Sequence, residues 1–341
     1  PGHRRNDRVR LEPDEVVDAK PDHRRRCGEA LGGDDPAPLV RQVFEVPVVR
    51  PHVVEHRLHR LTCPRCGAST CGVLPPEAGL GYGPRTQAVC AALAVGGRMG
   101  KRGVARLMGD LFGLPIGPAA VCGLERRTAD ALAPIHAEAV EHIRRLPANV
   151  DETGWREGRR RGWLWTAVAK GLGVFRVAAG RGRDAFAELM GRSPPGVVTS
   201  DRYSAYAHLP AGRRQVCWAH LRRDFQAMID RGDVGEAIGE DLLVNSDVMF
   251  DAWSKVRAGT LARRTFATRT LPWLRREVRT LLERGAECGS NRTAATCREV
   301  LKVEPSLWTF ARAEGVEPTN NAAERALRHA VCWRKTSFGT D

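Results

Sequence analysis

No stretch of the sequence is apolar for long enough to cross a bilayer. The longest apolar run, "AVCAALAV" at 88–95, falls well short of the ~20 residues that a spanning helix needs. The opening "PGHRRNDRVRLEPDE" lacks the apolar segment of a secretory signal, and the chain starts on Pro1 rather than Met, so it reads as part of a longer one. Internal repeats and low-complexity tracts are also missing, which sets aside solenoids and biased linkers. Ten cysteines scattered over 341 residues exclude a small disulfide-stapled scaffold and fit reduced thiols in the cytoplasm. Acid is in short supply: 40 Asp and Glu face 54 Lys and Arg, a formal net charge of +14. Arg makes up most of the basic residues, and its planar fork suits phosphate, so a polyanionic partner is expected. A coding bias toward Arg, Ala and Gly accounts for part of that excess.

The length allows two or three domains. Residues 1–83 are rich in Pro, His, Arg and Cys, and "LVRQVFEVPVVRPHVVEHRLHRLTC" (39–63) alternates as a strand would. "CPRCG" (63–67) reads as a knuckle. Residues 84–147 turn helical, and two apolar-periodic segments broken by "GLPIG" predict a helix-turn-helix-like DNA-binding region. From 148 onward "NVDE", "GWLWTAVAK", "GVFRVAAG", "GVVTSD" and "RQVCWAH" read as strands, and "RDAFAELMG" and "LRRDFQAMID" as helices. The pattern predicts a mixed α/β sheet in 148–341, interrupted by a helical insertion over about 221–316.

Two acids stand at strand ends. "NVDE" ends in Asp151 with Glu152 beside it, and "GVVTSD" ends in Asp201. An unpaired carboxylate is costly to bury, so such an acid is either solvated or holds something positive. Two acids side by side in one sheet repel unless a cation neutralises them. Oxygen ligands without a His or Cys cluster favour Mg²⁺ or Mn²⁺ over Zn²⁺. The third acid is Glu324 in "EPTNNAAERALRHAVCWRK". With Asn321 as N-cap it falls at the third helical position, which a capping box explains without chemistry. The box leaves the basic cluster Arg325, Arg328, Arg334 and Lys335 unexplained. In "CWAHLRRDF", Cys217 and His220 have short metal-like spacing but no second pair, so a buried Cys beside a helix-starting His is the better reading. Trp155, Trp163 and Trp165 read as core aromatics.

"VDETGWREGRRRGWLWTAV", "SDRYSAY", "CWAHLRRDF" and "EPTNNAAERALRHAVCWRKTSFGT", in this order and spacing, resemble the catalytic core of transposases of the insertion-sequence 66 family. The resemblance covers most of the chain from about residue 39. It implies an RNase H-like fold of the DDE type, with Asp151, Asp201 and Glu324 as a triad holding two Mg²⁺ or Mn²⁺ ions and Asp151 favoured over Glu152. The implied reaction is strand cleavage at an element's terminal inverted repeats and strand transfer into target DNA. It further implies a homo-oligomer on DNA, accessory proteins of the same element, and DNA contacts from Arg325, Arg328, Arg334, Lys335 and His220. Members of the family continue past "SFGT", so the chain reads as trimmed at both ends.

The family also carries a small zinc-binding segment at the amino-terminal end. Cys63 and Cys66 supply one half. The other half is "HRRRCGEAL", where Cys27 and Gly28 are present but Arg24 fills the first ligand position. Three thiolates and an imidazole still form a valid zinc set, with His23 or Cys71 as the fourth ligand. Two other functions share these features: an RNase H-like structure-specific nuclease, and a non-catalytic DNA-binding remnant.

Overall fold

The strand-like alternation at 39–59 does not produce a strand. In the computed structural model, which describes residues 9–78 and 81–336, that segment is exposed and irregular. No partner strand lies beside it among the described residues, and Pro47 and Pro51 each remove a ladder donor. The "SFGT" end of the last motif lies outside the described residues.

The chain divides into two compact units, Pro1–Cys122 and Gly123–Asp341. In the first, β1 (Arg60–Thr62) and β2 (Ser69–Cys71) form an antiparallel hairpin around the "CPRCG" turn. Helices α1 (Pro84–Ala91) and α2 (Lys101–Phe112) follow, the first running into a π-helical turn over Ala92–Gly96. Residues 113–117, "GLPIG", then lead into α3 (Pro118–Ile143), so the two predicted helices and their break are present.

The second unit starts within α3, not at residue 148, because the end of that helix packs on the sheet. Ile143 is fully buried there with Ala139 and Val140 beside it. The sheet comprises β3 (Ala148–Glu157), β4 (Arg160–Ala169), β5 (Leu172–Ala178), β6 (Val198–Ser200) and β7 (Arg214–Val216), with α4 (Arg183–Met190) between β5 and β6. Its order is β5-β4-β3-β6-β7. The first three strands are antiparallel, and β6 and β7 continue parallel to β3. "NVDE" is therefore not a strand end. β3 runs on through Gly154 and Trp155, which pair with Trp163 and Gly162 of β4.

One face of β3, carrying Ala148 and Val150, joins Phe186 and Leu189 of α4 and Tyr206 in a buried layer. The helical insertion begins slightly before the expected point, with α5 (Trp218–Ile229). It continues through α6 (Glu236–Arg257), α7 (Arg263–Thr265), α8 (Leu271–Ala286), α9 (Asn291–Lys302) and α10 (Thr309–Arg312). Aromatics sit among the aliphatic residues of its core: Trp218 lies 5.0 Å from Trp308 with the rings tilted, and Trp253 meets Phe310 edge-on at 4.8 Å. Glu304 is buried inside this layer because Arg275 binds it with two hydrogen bonds of 2.7 and 2.8 Å and Trp308 Nε1 donates a third. A buried carboxylate needs such pairing. Gln215 of β7 links the insertion to the sheet by donating to Leu307 O and accepting from Phe310 N. The chain then returns as α11 (Asn321–Thr336) against β3 and β4, where Leu327 and Ala330 cover Leu164.

Candidate active site

Strand register brings the two aspartates together. Asn149 pairs with Thr199 in the parallel β3–β6 ladder. Counting two residues on along each strand sets Asp151 level with Asp201. Thr199 and Ser200 pair with Gln215 and Val216 of β7, so Cys217 falls at the same level one strand further. Ligand sites in open α/β sheets lie beyond the carboxyl ends of parallel strands, where the strand order reverses, and this is such a place. Asp201 is fixed by the turn it caps: Tyr203 N–H donates to its Oδ1 at 2.9 Å, and Arg214 Nη2 donates to its carbonyl at 3.1 Å.

Side chains alternate along β3, so Asp151 and Glu152 point to opposite faces. Glu152 enters the buried layer. There Arg181 Nε donates to its Oε1 at 2.7 Å and the Tyr206 hydroxyl donates to Oε2. Arg181 also stacks over Tyr203, 3.9 Å from the ring centroid. Burial pushes the Glu152 carboxyl up, against the lowering pull of Tyr206 and Arg181. Among the described residues, no such cation pairs with Asp151. Burial first, then the charges of Glu152, Asp201 and Glu324, raise its pKa to about 7, although the Glu152 N–H donates to its Oδ1. Thr153, with the parity of Asp151, faces α11 and accepts from Arg334.

The segment before α11 positions the third acid. Pro318 O accepts from Trp218 N–H at 2.9 Å, and Asn320 N–H donates to Cys217 Sγ at 3.3 Å. The helix thus starts beside the end of β7. The residue ahead of it is Asn320, not the expected Asn321, and Glu324 falls one place later than a capping box requires. The Asn320 side chain is buried without a partner among the described residues, so it closes no box. Glu324 instead accepts from Arg223 Nη2 at 3.0 Å, and His220 Nε2 lies 3.5 Å away. The four-residue spacing of Glu324 and Arg328 therefore does not make their helix ion pair; Arg325 and Arg328 are exposed.

Cys217 is a buried thiol whose pKa is raised by burial, at the residue preceding α5. Burial and then Arg223 lower the pKa of His220 against Asp201, Glu324 and Asp224, which keeps its imidazole neutral at pH 7. His220 thus lies beside Glu324, with the charges of Asp201 and Asp224 also acting on it. Arg334 donates to Thr153 Oγ1 and Gly154 O, while Lys335 is exposed. Trp165 is fully buried, and Trp155 packs edge-on against Trp333. Local patterns missed Arg181 and Tyr206, which hold Glu152 on the opposite face, and Arg223, which holds Glu324. "SDRYSAY" held Tyr206 in plain view, but its partner is 54 positions away.

The two amino-terminal half-sites share one backbone geometry. Gly67 N–H donates to Cys63 O and Gly28 N–H to Arg24 O, both at 2.9 Å. Cys63 N–H donates to Ala68 O and Arg24 N–H to Glu29 O, both at 2.8 Å, and the glycines have φ of 71° and 75°. Arg24 therefore occupies the place of Cys63, and Cys27 that of Cys66. Backbone N–H groups of Cys66 and Arg65 lower the pKa of the Cys63 thiol, favouring thiolate. Cys27, Cys63, Cys66 and Cys71 are all free and exposed. Among the described residues, no three His, Cys, Asp or Glu side chains are gathered into a group that could hold an ion, at either end of the chain.

The second unit is a mixed α/β domain in which Asp201 follows the end of β6, Asp151 lies level with it inside β3, and Arg223 holds the neighbouring Glu324. The chain belongs to the transposase IS66 family, whose sequence model matches residues 81–341. It is also 28% identical over 209 residues to "Uncharacterized protein y4qI" of Sinorhizobium fredii (strain NBRC 101917 / NGR234), a match covering 52% of this chain and 36% of that relative. No helix among the described residues is long and apolar enough to cross a membrane.

Proposed function

We propose that the chain is a metal-dependent DNA transposase with an RNase H-like core, cleaving strands at element ends and joining them to target DNA through Asp151, Asp201 and Glu324. The observation that carries this reading is the register of Asp151 with Asp201, together with the burial and neighbouring acids that raise Asp151 to about 7. The strand order β5-β4-β3-β6-β7, antiparallel then parallel, supports the fold.

The chemistry of the donor set suits a hard divalent cation: all three groups are carboxylates, and Asp151 is raised by burial first and then by the charges of Glu152, Asp201 and Glu324. Mg²⁺ or Mn²⁺ held there would stabilise charge on the phosphoryl oxygens and lower the pKa of a nucleophilic water. The protein's own residues do the positioning. Glu324 is paired with Arg223 and would have to exchange that partner to join the aspartates. Arg223, once released, can meet a phosphate oxygen, and Arg325 and Arg328 present further forks from α11, the helix that carries Glu324. Neutral His220 can accept a proton beside Glu324.

The amino-terminal half-sites fit zinc in part. Cys63, Cys66 and Cys27 supply three thiolates, and His23 or Cys71 would have to supply the fourth ligand.

Incubating the chain with a pre-cut end duplex, a supercoiled plasmid and Mg²⁺ tests the function. A covalently joined product is expected. Its absence under conditions where both DNAs are bound would overturn the reading.

A further inference from the structure

We propose that the tip of the β3–β4 hairpin is a phosphate-gripping arm for duplex DNA; this rests on the transposase reading but concerns a surface separate from the acids. The pairs Trp155↔Gly162, Arg156↔Arg161 and Glu157↔Arg160 lie beyond the last β5 partner, at Trp163↔Ala178, and beyond the β6 ladder, which ends at Asn149↔Thr199. The hairpin therefore leaves the sheet as a two-stranded ribbon, projecting about 10 Å at ~3.4 Å per residue. A two-residue turn closes it, with Gly158 at a φ of 55°. The width of a two-stranded ribbon suits the major groove, and its edges then face the phosphates on either side.

The ribbon's chemistry is one-sided. Residues 156–161 read "REGRRR", four arginines against Glu157, and all six are exposed. Glu157 stands opposite Arg160, but Arg156 stands directly opposite Arg161. A polyanion laid over the ribbon would therefore meet guanidinium groups from both strands. Arg159, Arg160 and Arg161 form no ion pair among the described residues.

The base of the ribbon is braced. Trp155 meets Trp333 of α11 at 6.2 Å, Leu164 packs on Leu327 and Ala330, and Arg334 donates to Thr153 Oγ1 and Gly154 O. Such bracing lowers the ordering cost of binding. It also links the arm to the helix that carries Glu324, so DNA held by the arm has a fixed relation to the acids.

The test is the salt dependence of binding to duplexes of unrelated sequence, measured on the full chain in Ca²⁺. Each lost phosphate contact should flatten the slope of log affinity against log salt by ~0.9. The triple variant R159Q/R160Q/R161Q is expected to lose about 2 to 3 from the slope, equally on every sequence, since phosphate contacts carry no direct code. R276Q/R284Q/R292Q removes the same charge from exposed positions of α8 and α9 and should change the slope by less than ~0.5, being off the contact surface. R159K/R160K/R161K keeps point charges and should keep the slope, which guards against loss of fold as the cause. A hairpin triple no different from the helix triple overturns the arm and leaves the transposase reading standing. A wild-type chain that binds no duplex at all overturns both.

Discussion

Replacing Asp151 with Asn is expected to make the metal-free protein more stable at pH 8 while abolishing strand cleavage. Asn keeps the shape and can still accept the Glu152 N–H, but it carries no charge among Glu152, Asp201 and Glu324. The folded pKa stands at about 7 against an ordinary 3.8. An acid raised in this way gives stability that is fully present below 3.8 and is lost as pH rises toward 7. At ~1.4 kcal/mol per pH unit the ceiling on that loss is ~4 kcal/mol. Relaxation and water entry reduce it, and a gain of ~1–3 kcal/mol is the working figure, or roughly 3–10 °C in melting temperature for a domain of this size. The assay is thermal and urea unfolding of both proteins in chelator at pH 8, 6 and 4. The advantage of Asp151→Asn should be full at pH 8, smaller at pH 6 and nearly gone at pH 4. Divalent ion added at pH 8 should stabilise the wild type and not the variant. A variant equal to or weaker than wild type at pH 8 would refute an uncompensated acid at this position.

Glu324→Gln should change stability by less than ~1 kcal/mol, since it weakens only a half-exposed pair with Arg223, yet stop cleavage; a variant that still cuts removes Glu324 from the site. Arg328→Ala and Arg325→Ala should each flatten the salt slope of duplex binding by ~0.9, and an unchanged slope in both would place neither on phosphate. Zinc analysis of the full chain should give close to one equivalent, and Arg24→Cys should tighten it; less than about a tenth of an equivalent after expression with zinc would retire the site. Arg275→Ala strands the buried Glu304 carboxylate and should cost ~3 kcal/mol in chemical denaturation, whereas a loss below ~1 would mean that Trp308 alone satisfies it.

Much of the sheet was legible because apolar runs such as "LWTAV" and "GVV" sit between turn residues. The positions of Asp151 and Asp201 followed from those runs. The continuation of β3 past Asp151 was hidden because Thr153 and Gly154 imitate a turn; only pairing with β4 makes them strand. The alternation at 39–59 misled for the opposite reason, since a strand pattern needs a partner that local sequence does not supply. Two adjacent asparagines left the helix start ambiguous by one residue, enough to turn an expected capping box into a pair between Glu324 and Arg223, 101 positions apart. Long-range partners of this kind, Arg181 with Glu152 among them, depend on tertiary placement that spacing along the chain does not encode.

The central claim is that Asp151, Asp201 and Glu324 act as one metal-dependent site on DNA. Its most direct test is to incubate four proteins, the wild type and Asp151→Asn, Asp201→Asn and Glu324→Gln, with end-labelled duplexes carrying the element's termini and to map every cut at nucleotide resolution. In Mg²⁺ the wild type should release a 3′-hydroxyl at the element boundary and do nothing in chelator. The three variants should bind the same duplexes with similar affinity and leave them uncut. Cleavage surviving in any of the three, or a wild type that binds the ends in Mg²⁺ without cutting them, would contradict the account.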